Sequence, residues 1–275
     1  MLKKRVITAL CIIPILVAAV WFDTPLPWFT IFAAAWGFGA AYEFYKLTST
    51  KAPILTWFGL IWTVLFLVSR NANLLSVLRL DPDSVTPLLL TSGIVLSLVW
   101  LLRHPHRLDA FAGWAWTMAG ILYLGWLLGY LVALRDLDNG RNWVFLALFA
   151  TFASDTAAFV VGKSLGRHHL APHISPAKTW EGSVGGVLGA IIASLFFILP
   201  TPLQLGLSWG AAVLLGLIVS VFGQLGDLAE SVFKRNMGVK DSGNLIPGHG
   251  GVLDRTDSIV FAGIVVYYYV VWMVR

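Results

Sequence analysis

The stretch S-V-F-K-R-N-M-G-V-K-D-S-G-N-L-I-P-G-H-G-G-V-L-D-R-T-D, residues 231–257, lies between two long apolar segments at 207–230 and 256–274. It combines basic side chains, a histidine and glycines, which suit anions, with several carboxylates, which suit cations. Ionisable groups are costly beside a bilayer, and they mark functional sites there. The stretch therefore predicts a membrane protein that binds phosphates and a hard metal ion at the membrane surface.

The composition of the chain is that of a protein whose solvent is largely lipid. Of 275 residues, 58% are hydrophobic, 12% are charged and 13 are tryptophan, and the mean hydropathy is +0.79. These values exclude a soluble globular protein. The net charge of +5 comes from basic residues scattered over short loops, so the expected partners are membrane lipids and phosphorylated substrates, and no nucleic acid.

Apolar segments recur along the whole chain and are separated by proline-containing connections. A hydrocarbon core of about 30 Å needs about 20 residues of helix, and fewer where flanking side chains reach the interface. The sequence therefore predicts an all-α integral membrane protein, a polytopic bundle of about nine transmembrane helices. Their expected cores are 6–22, 28–46, 54–69, 86–102, 110–134, 142–162, 183–200, 207–230 and 256–274.

The distribution of basic residues predicts the orientation of these spans. The first segment lacks a convincing cleavage site and is interpreted as an uncleaved span. With the N-terminus in the cytosol, 14 of the 19 lysines and arginines lie on the cytosolic side and 5 lie opposite. This excess has the direction that the positive-inside rule requires. It places both long polar loops, 163–182 and 234–255, in the cytosol.

The two halves of the chain differ in where their acidic residues lie. Residues 1–140 are interpreted as N-terminal transmembrane helices that form a scaffold and face lipid or a dimer partner. Glu43, near the end of the second span, is expected to extend to the interface, with a catalytic role as the alternative. Residues 141–275 are interpreted as a C-terminal transmembrane catalytic region with cytosolic motif loops 163–182 and 234–255. Asp155 lies within the sixth predicted span of the chain, 142–162, and a carboxylate buried there needs a partner.

The end of the eighth span carries a polar stripe. Asp227, Glu230, Ser231 and Lys234 have the spacing i, i+3, i+4, i+7, which places them on one face of a helix. One interpretation is that this face lines a substrate cavity. The alternative is a purely structural charge cluster. Glycines at 223 and 226 leave room for close approach by a neighbouring helix or a ligand.

The middle loop contains Lys178 in the run S-P-A-K-T-W-E-G-S-V-G-G. Its composition is typical of a phosphate-binding loop, although it does not match the Walker A pattern. The glycines that follow fit either phosphate binding or close packing between helices. Three nearby histidines lack the further ligands that complete a zinc site, so zinc is not predicted.

The last loop, P-G-H-G-G-V-L-D-R-T-D, places His249 between glycines and sets Asp254 and Asp257 three residues apart at the start of the final span. Carboxylates at a helix start can serve as simple caps. Together with His249 and the upstream acids, they favour metal and phosphate binding. Oxygen ligands from Asp227 and Asp254, with Asp241 as a further candidate, suit Mg²⁺.

These motifs resemble those of the CDP-diacylglycerol synthase family, also called phosphatidate cytidylyltransferases. The resemblance rests on residues 231–257, on S-D-T-A-A-F-V-V-G-K-S-L-G and on S-P-A-K-T-W-E-G-S-V-G-G. It implies the reaction of CTP with phosphatidate to give CDP-diacylglycerol and pyrophosphate, in phospholipid biosynthesis. It also implies Mg²⁺ as cofactor, a homodimer, and a location in the bacterial inner membrane with a cytosolic active site.

The resemblance also assigns expected roles to residues. Asp227 and Asp254 would hold the metal, and His249, Lys234 and Arg235 would complete the catalytic set. The expected substrate-binding residues are Lys178, Arg255, Ser231, Asp155, Glu230, Asp241 and Asp257. Two alternatives stay open: a CTP-dependent lipid kinase, which would transfer the γ-phosphoryl group, and an ion-coupled transporter, which the intramembrane acids would serve.

Overall fold

The protein is described by a computed structural model that covers residues 2–102, 109–248 and 250–274. Nearly all of its regular structure is helix. The α-helices are α1 (Leu2–Trp21), α2 (Trp28–Thr48), α3 (Thr56–Val68), α4 (Ala72–Val77), α5 (Pro82–Leu101), α6 (Ala110–Gly120), α7 (Gly129–Arg135), α8 (Gly140–Leu165), α9 (Trp180–Phe196), α10 (Trp209–Asn236) and α11 (Asp257–Tyr269). A π-helical turn, Ile121–Leu127, joins α6 to α7, and another, Val270–Val274, extends α11.

Each of the nine predicted spans overlaps a helix. Within the described ranges, five segments are long and apolar enough to cross a membrane: Pro82–Leu101, Ala110–Arg135, Gly140–Leu165, Trp209–Asn236 and Asp257–Val274. Three further apolar helices are shorter, namely Leu10–Trp21, Thr56–Val68 and Trp180–Phe196. The predicted helical membrane protein is confirmed in its coarser form, since the structure is nearly all-α with one short hairpin; the count of about nine transmembrane helices stays a prediction.

Local sequence explains where several helices begin. The side chains of Asp81, Thr179 and Ser208 precede α5, α9 and α10, and each accepts a hydrogen bond from a backbone N–H in the first turn. Such caps satisfy donors that the helix itself leaves unpaired. Pro82 adds a preset backbone angle at the first position of α5.

The chain forms two compact units. The first comprises Met1–Asp136 and Asp241–Arg255, and the second comprises Leu137–Lys240 and Thr256–Arg275. The loop that follows α10 thus belongs with the N-terminal helices, although the sequence grouped it with the C-terminal region. The functional division into scaffold and catalytic halves stays a prediction.

The first unit is built around aromatic side chains. Tyr45 of α2 is fully buried, and its hydroxyl donates to the carbonyl of Thr117, 2.9 Å away. A side chain at Gly59 or Gly120 would overlap the tyrosine ring, so these glycines let α3 and α6 close on α2. Phe66 is also fully buried and packs with its neighbours into the same unit.

The second unit packs α8, α9, α10 and α11 through small residues. A Cβ at Gly185 of α9 would come 2.6 Å from Val161 of α8, and one at Gly216 of α10 would come 2.5 Å from Ile191 of α9. The hydroxyls of Ser154 and Ser220 hydrogen-bond across α8 and α10 at 2.7 Å. Small residues allow this close backbone approach. The glycines after Glu181 allow this close packing, and a role for them in phosphate binding stays a prediction.

Candidate functional site

Three carboxylates meet in the second unit and form the carboxylate cluster, Asp227, Glu230 and Asp257. One oxygen from each residue lies within 4.8 Å of the others. Glu230 and Asp257 are buried, with 2% and 8% of their surfaces exposed, whereas Asp227 is partly exposed. Like charges this close repel one another unless cations or a metal ion compensate them. The cluster therefore has the charge and the oxygen ligands of a cation site.

The cluster exists because α10 and α11 approach closely at Gly226. A Cβ at this position would lie 2.5 Å from the carbonyl oxygen of Asp257 and 2.8 Å from the Phe261 ring. Asp227 follows immediately, and Asp257 is the first residue of α11. The sequence expectation that glycines here admit a close neighbour is confirmed, and the neighbour is α11.

Two lysines compensate part of the negative charge. The ammonium group of Lys178 lies 2.7 Å from Oδ2 of Asp227, and that of Lys234 lies 2.7 Å from Oε2 of Glu230. The hydroxyl of Ser231 donates to Oδ1 of Asp227 at 3.5 Å. Two ammonium groups therefore face three carboxyl groups. As the helical spacing predicted, the polar residues of α10 share one face.

A short antiparallel hairpin delivers Lys178 to the cluster. Its strands are β1 (His169–Ala171) and β2 (Ser175–Thr179), within the predicted loop 163–182. The guanidinium of Arg235 donates to the carbonyls of Ile174 and Val239, at 3.2 and 3.3 Å, and so ties the hairpin to the end of α10. Arg235 was predicted to contact phosphate, and its described contacts are with the backbone.

A hydrogen bond between two side chains closes the base of the hairpin. The ring Nδ1 of His168 lies 2.6 Å from Glu181, and the backbone N–H groups of Arg167 and His168 donate to the same carboxylate. These hydrogen bonds, that of the His168 ring foremost, lower the pKa of Glu181 to about 2. His168 therefore has Glu181 as its hydrogen-bonding partner here.

Residues 241–255 form the signature loop of the first unit. Asp254 lies on a 3-10 turn, Leu253–Arg255, and accepts hydrogen bonds from the backbone N–H groups of Ser242 and Gly251, with 3.0 and 2.8 Å to its Oδ2. The sequence placed Asp254 at the start of the final helix, but α11 begins at Asp257. Asp254 is thus bound by loop amides rather than capping that helix.

Glu43 was expected to extend to the membrane interface, and this prediction is wrong. Its surface is only 2% exposed, and its Oε2 accepts hydrogen bonds from the Ser242 hydroxyl and the Leu253 N–H, at 3.1 and 3.0 Å. The carboxylate therefore lies beneath the signature loop. Two hundred and ten residues separate Glu43 from Leu253, and nothing in their local sequences indicates the contact.

The other predicted residues are distributed as follows. Asp155 lies on α8. Asp241 and Arg255 are exposed in the signature loop. His249 lies outside the described residues. Asp227 and Asp254 belong to different units, so the shared metal ion that the sequence assigned to them stays a prediction.

The chain is similar to known proteins over most of its length. A sequence model of the cytidylyltransferase family matches residues 3–273. A phosphatidate cytidylyltransferase from Bacillus subtilis is 38% identical over 235 residues, 85% of each chain. One from Brucella suis is 34% identical over 271 residues, 97% of this chain and 92% of its relative.

Proposed function

This chain belongs to the cytidylyltransferase family, and from that premise we propose that it transfers the cytidylyl group of CTP to phosphatidate. The products are CDP-diacylglycerol and pyrophosphate, and the process served is phospholipid biosynthesis. The relatives that match over most of the chain are named for this reaction. The structural observation that carries the proposal is the carboxylate cluster with its two lysines. The carboxylate oxygens can bind a metal ion, and the lysine ammonium groups can bind phosphate.

The reaction needs charge compensation more than a protein nucleophile. An oxygen of the lipid phosphate attacks the α-phosphorus of CTP, and a new P–O bond forms. The bond from that phosphorus to the bridging oxygen of the β-phosphate breaks, and pyrophosphate leaves with the electron pair. Because the attacking oxygen is already anionic, catalysis depends on positioning two polyanions and on stabilising the developing charge.

Lys178 and Lys234 are the residues best placed for this task. Each holds its ammonium group 2.7 Å from a carboxylate, and their side chains are 23% and 13% exposed. We propose that both lysines bind substrate phosphates, with the carboxylates fixing their positions. Ser231 would add a hydroxyl donor. Arg235, Arg255 and His249 are proposed to contact phosphate oxygens, as the family resemblance implies.

The carboxylate cluster fits Mg²⁺. Mg²⁺ prefers oxygen ligands and commonly binds one or two carboxylates together with substrate phosphates. Asp227, with Glu230 and Asp257 beside it, offers such oxygens. A bound Mg²⁺ would polarise the phosphates and neutralise their charge. Asp254 stays a proposed second ligand on sequence grounds, and Asp155 and Asp241 stay proposed contributors to substrate binding.

We further propose that the chain crosses the bacterial inner membrane about nine times. Each predicted span overlaps a helix, the relatives come from bacteria, and 14 of 19 basic residues fall on the predicted cytosolic side. In this arrangement CTP arrives from the cytosol and phosphatidate from the surrounding membrane lipids. A homodimer, which the family resemblance implies, is part of the same proposal.

The test uses purified protein in detergent micelles that contain phosphatidate. CTP carrying a radioactive label on the α-phosphate should label a lipid product when Mg²⁺ is present, and the γ-label should appear only in pyrophosphate. Asp227→Asn should lose most of this activity, while Asp83→Asn, an exposed carboxylate of α5, should keep it. Transfer of the γ-label to lipid would replace the proposal with the lipid-kinase alternative.

A further inference from the structure

We propose that Glu43 is a positioning residue for the reaction: it holds the signature loop in the shape that presents Asp254. The inference rests on the proposed function for its catalytic meaning, because Asp254 is a proposed metal ligand. Its structural content lies entirely within the first unit, which contains both α2 and residues 241–255.

The first line of support is the set of donors that the Glu43 carboxylate binds. Its Oε2 accepts from the Ser242 hydroxyl at 3.1 Å and from the Leu253 N–H at 3.0 Å. Both donors come from the signature loop, and Ser242, Leu253 and Glu43 are all buried. One oxygen atom therefore ties the start of the loop to its end.

The second line of support is the shape of the loop around the carboxylate. A Cβ at Gly243 would overlap Oε1 of Glu43, and a Cβ at Gly251 would overlap Oε2. Both positions need glycine because the backbone lies directly against the carboxylate. The loop is thus fitted to Glu43 by shape as well as by hydrogen bonds.

The third line of support links Glu43 to Asp254. Ser242 donates its hydroxyl to Glu43 and its backbone N–H to Asp254. Gly251 lies against Glu43 and donates its N–H to Asp254, while Leu253, the residue before Asp254, donates to Glu43. The carboxylates of Glu43 and Asp254 therefore both contact the backbone segments around Ser242 and Gly251. If Glu43 is removed, the N–H groups that orient Asp254 lose their support.

The geometry also indicates that Glu43 acts through hydrogen bonds rather than through its charge. Both accepted bonds reach Oε2, and no donor among the described residues reaches Oε1, which is buried. A glutamine could place its amide oxygen at Oε2 and keep both bonds. An alanine would leave the Ser242 hydroxyl and the Leu253 N–H buried without this acceptor.

The experiment compares Glu43→Ala, Glu43→Gln and Ser242→Ala with the wild type and with Tyr42→Phe, an exposed neighbour on α2. Hydrogen exchange followed by mass spectrometry reports on residues 241–255, with the hairpin 169–179 as internal reference. Steady-state kinetics give kcat and KM for CTP. Only protein that elutes from gel filtration like the wild type is compared.

We expect Glu43→Ala to speed exchange in residues 241–255 alone and to lower kcat by about 10- to 100-fold, the range seen when residues that orient metal ligands are removed. KM for CTP should change little. Glu43→Gln should retain most of the wild-type kcat and exchange protection. Ser242→Ala, which removes one of the two bonds, should show a smaller loosening of the same peptides.

Two results would overturn the inference. One is a Glu43→Ala protein with unchanged exchange and kcat. The other is a Glu43→Gln protein as impaired as Glu43→Ala, since that would assign the role to charge. If Glu43→Ala does not fold, unchanged loop exchange in Ser242→Ala counts against the proposal. A wild type without cytidylyl transfer, but with a loop that loosens in Glu43→Ala, would reject the proposed function and leave only the structural role of Glu43 in holding the loop.

Discussion

Replacement of Lys234 by methionine should destabilise the second unit strongly. The ammonium group of Lys234 lies 2.7 Å from Glu230, and the two side chains are only 13% and 1% exposed. At an effective dielectric constant of about 20, unit charges at this distance attract by about 6 kcal/mol. The lysine also regains hydration on unfolding, so the net cost of breaking such a buried pair is about 3–5 kcal/mol. Asp227 and Asp257 add repulsion to the uncompensated Glu230.

The change is measured as the shift in unfolding temperature of the purified protein in detergent, at a fixed heating rate. For a chain of this size, about 3–5 kcal/mol corresponds to a decrease of roughly 6–20 °C. The double variant Glu230→Gln, Lys234→Met replaces the ion pair with a neutral pair of similar volume. It should recover most of the loss, because neither member leaves an unpaired charge.

The matched control is Lys240→Met, since Lys240 is exposed just beyond the end of α10. A surface change of this kind should alter stability by no more than about 0.5 kcal/mol. The reasoning is refuted if Lys234→Met unfolds like the Lys240 control. It is equally refuted if the double variant is no more stable than Lys234→Met alone.

Three further predictions follow from the second unit. Gly226→Ala should lower the free energy of unfolding by about 1–3 kcal/mol, the usual cost of overpacking, because its Cβ would collide with Asp257 and Phe261. Gly210→Ala on the same helix meets nothing within 4 Å and should be tolerated. Thermal unfolding of the two variants compares them. Mg²⁺ at about 100 times its dissociation constant should raise the free energy of unfolding of the wild type by about 2.7 kcal/mol. The Asp257→Asn variant should lose most of this gain. An equal gain in the variant would show that the carboxylate cluster is not the metal site. The pKa of Glu181 falls from its ordinary 4.5 to about 2 in the folded hairpin. The stability that the ionised carboxylate contributes is therefore present above pH 4.5 and is lost as the pH falls toward 2. Hydrogen exchange in residues 168–181, corrected for its intrinsic pH dependence, should rise over this interval in the wild type and not in Glu181→Gln.

Local pattern was sufficient for the membrane class and for one face of the site. Apolar length predicts where helices form, because a segment in lipid must satisfy its backbone hydrogen bonds within itself. The stripe formed by Asp227, Glu230 and Lys234 followed from helical periodicity, which depends only on spacing within α10. The prediction that Gly226 admits a close neighbour was also local, since the absence of a side chain is visible in the sequence.

Local sequence did not show which of the two acids near the end of the chain, Asp254 or Asp257, joins the carboxylate cluster. Asp254 and Asp257 have the same spacing and charge, and the sequence favoured Asp254 for the metal. The structure places Asp257 beside Asp227 and Glu230 because α11 packs on α10, and it places Asp254 on loop amides. Three residues of chain, part of them in a 3-10 turn, are enough to send the two carboxylates to different units.

The sequence by itself determined a nearly all-α membrane protein of the cytidylyltransferase family, because hydropathy, helical spacing and the motif of residues 231–257 are properties of contiguous chain. Only the tertiary structure decided that Lys178 reaches Asp227 from a hairpin and that Glu43 lies beneath the signature loop. Such contacts join residues far apart in the chain. They depend on how helices pack, which no single segment specifies.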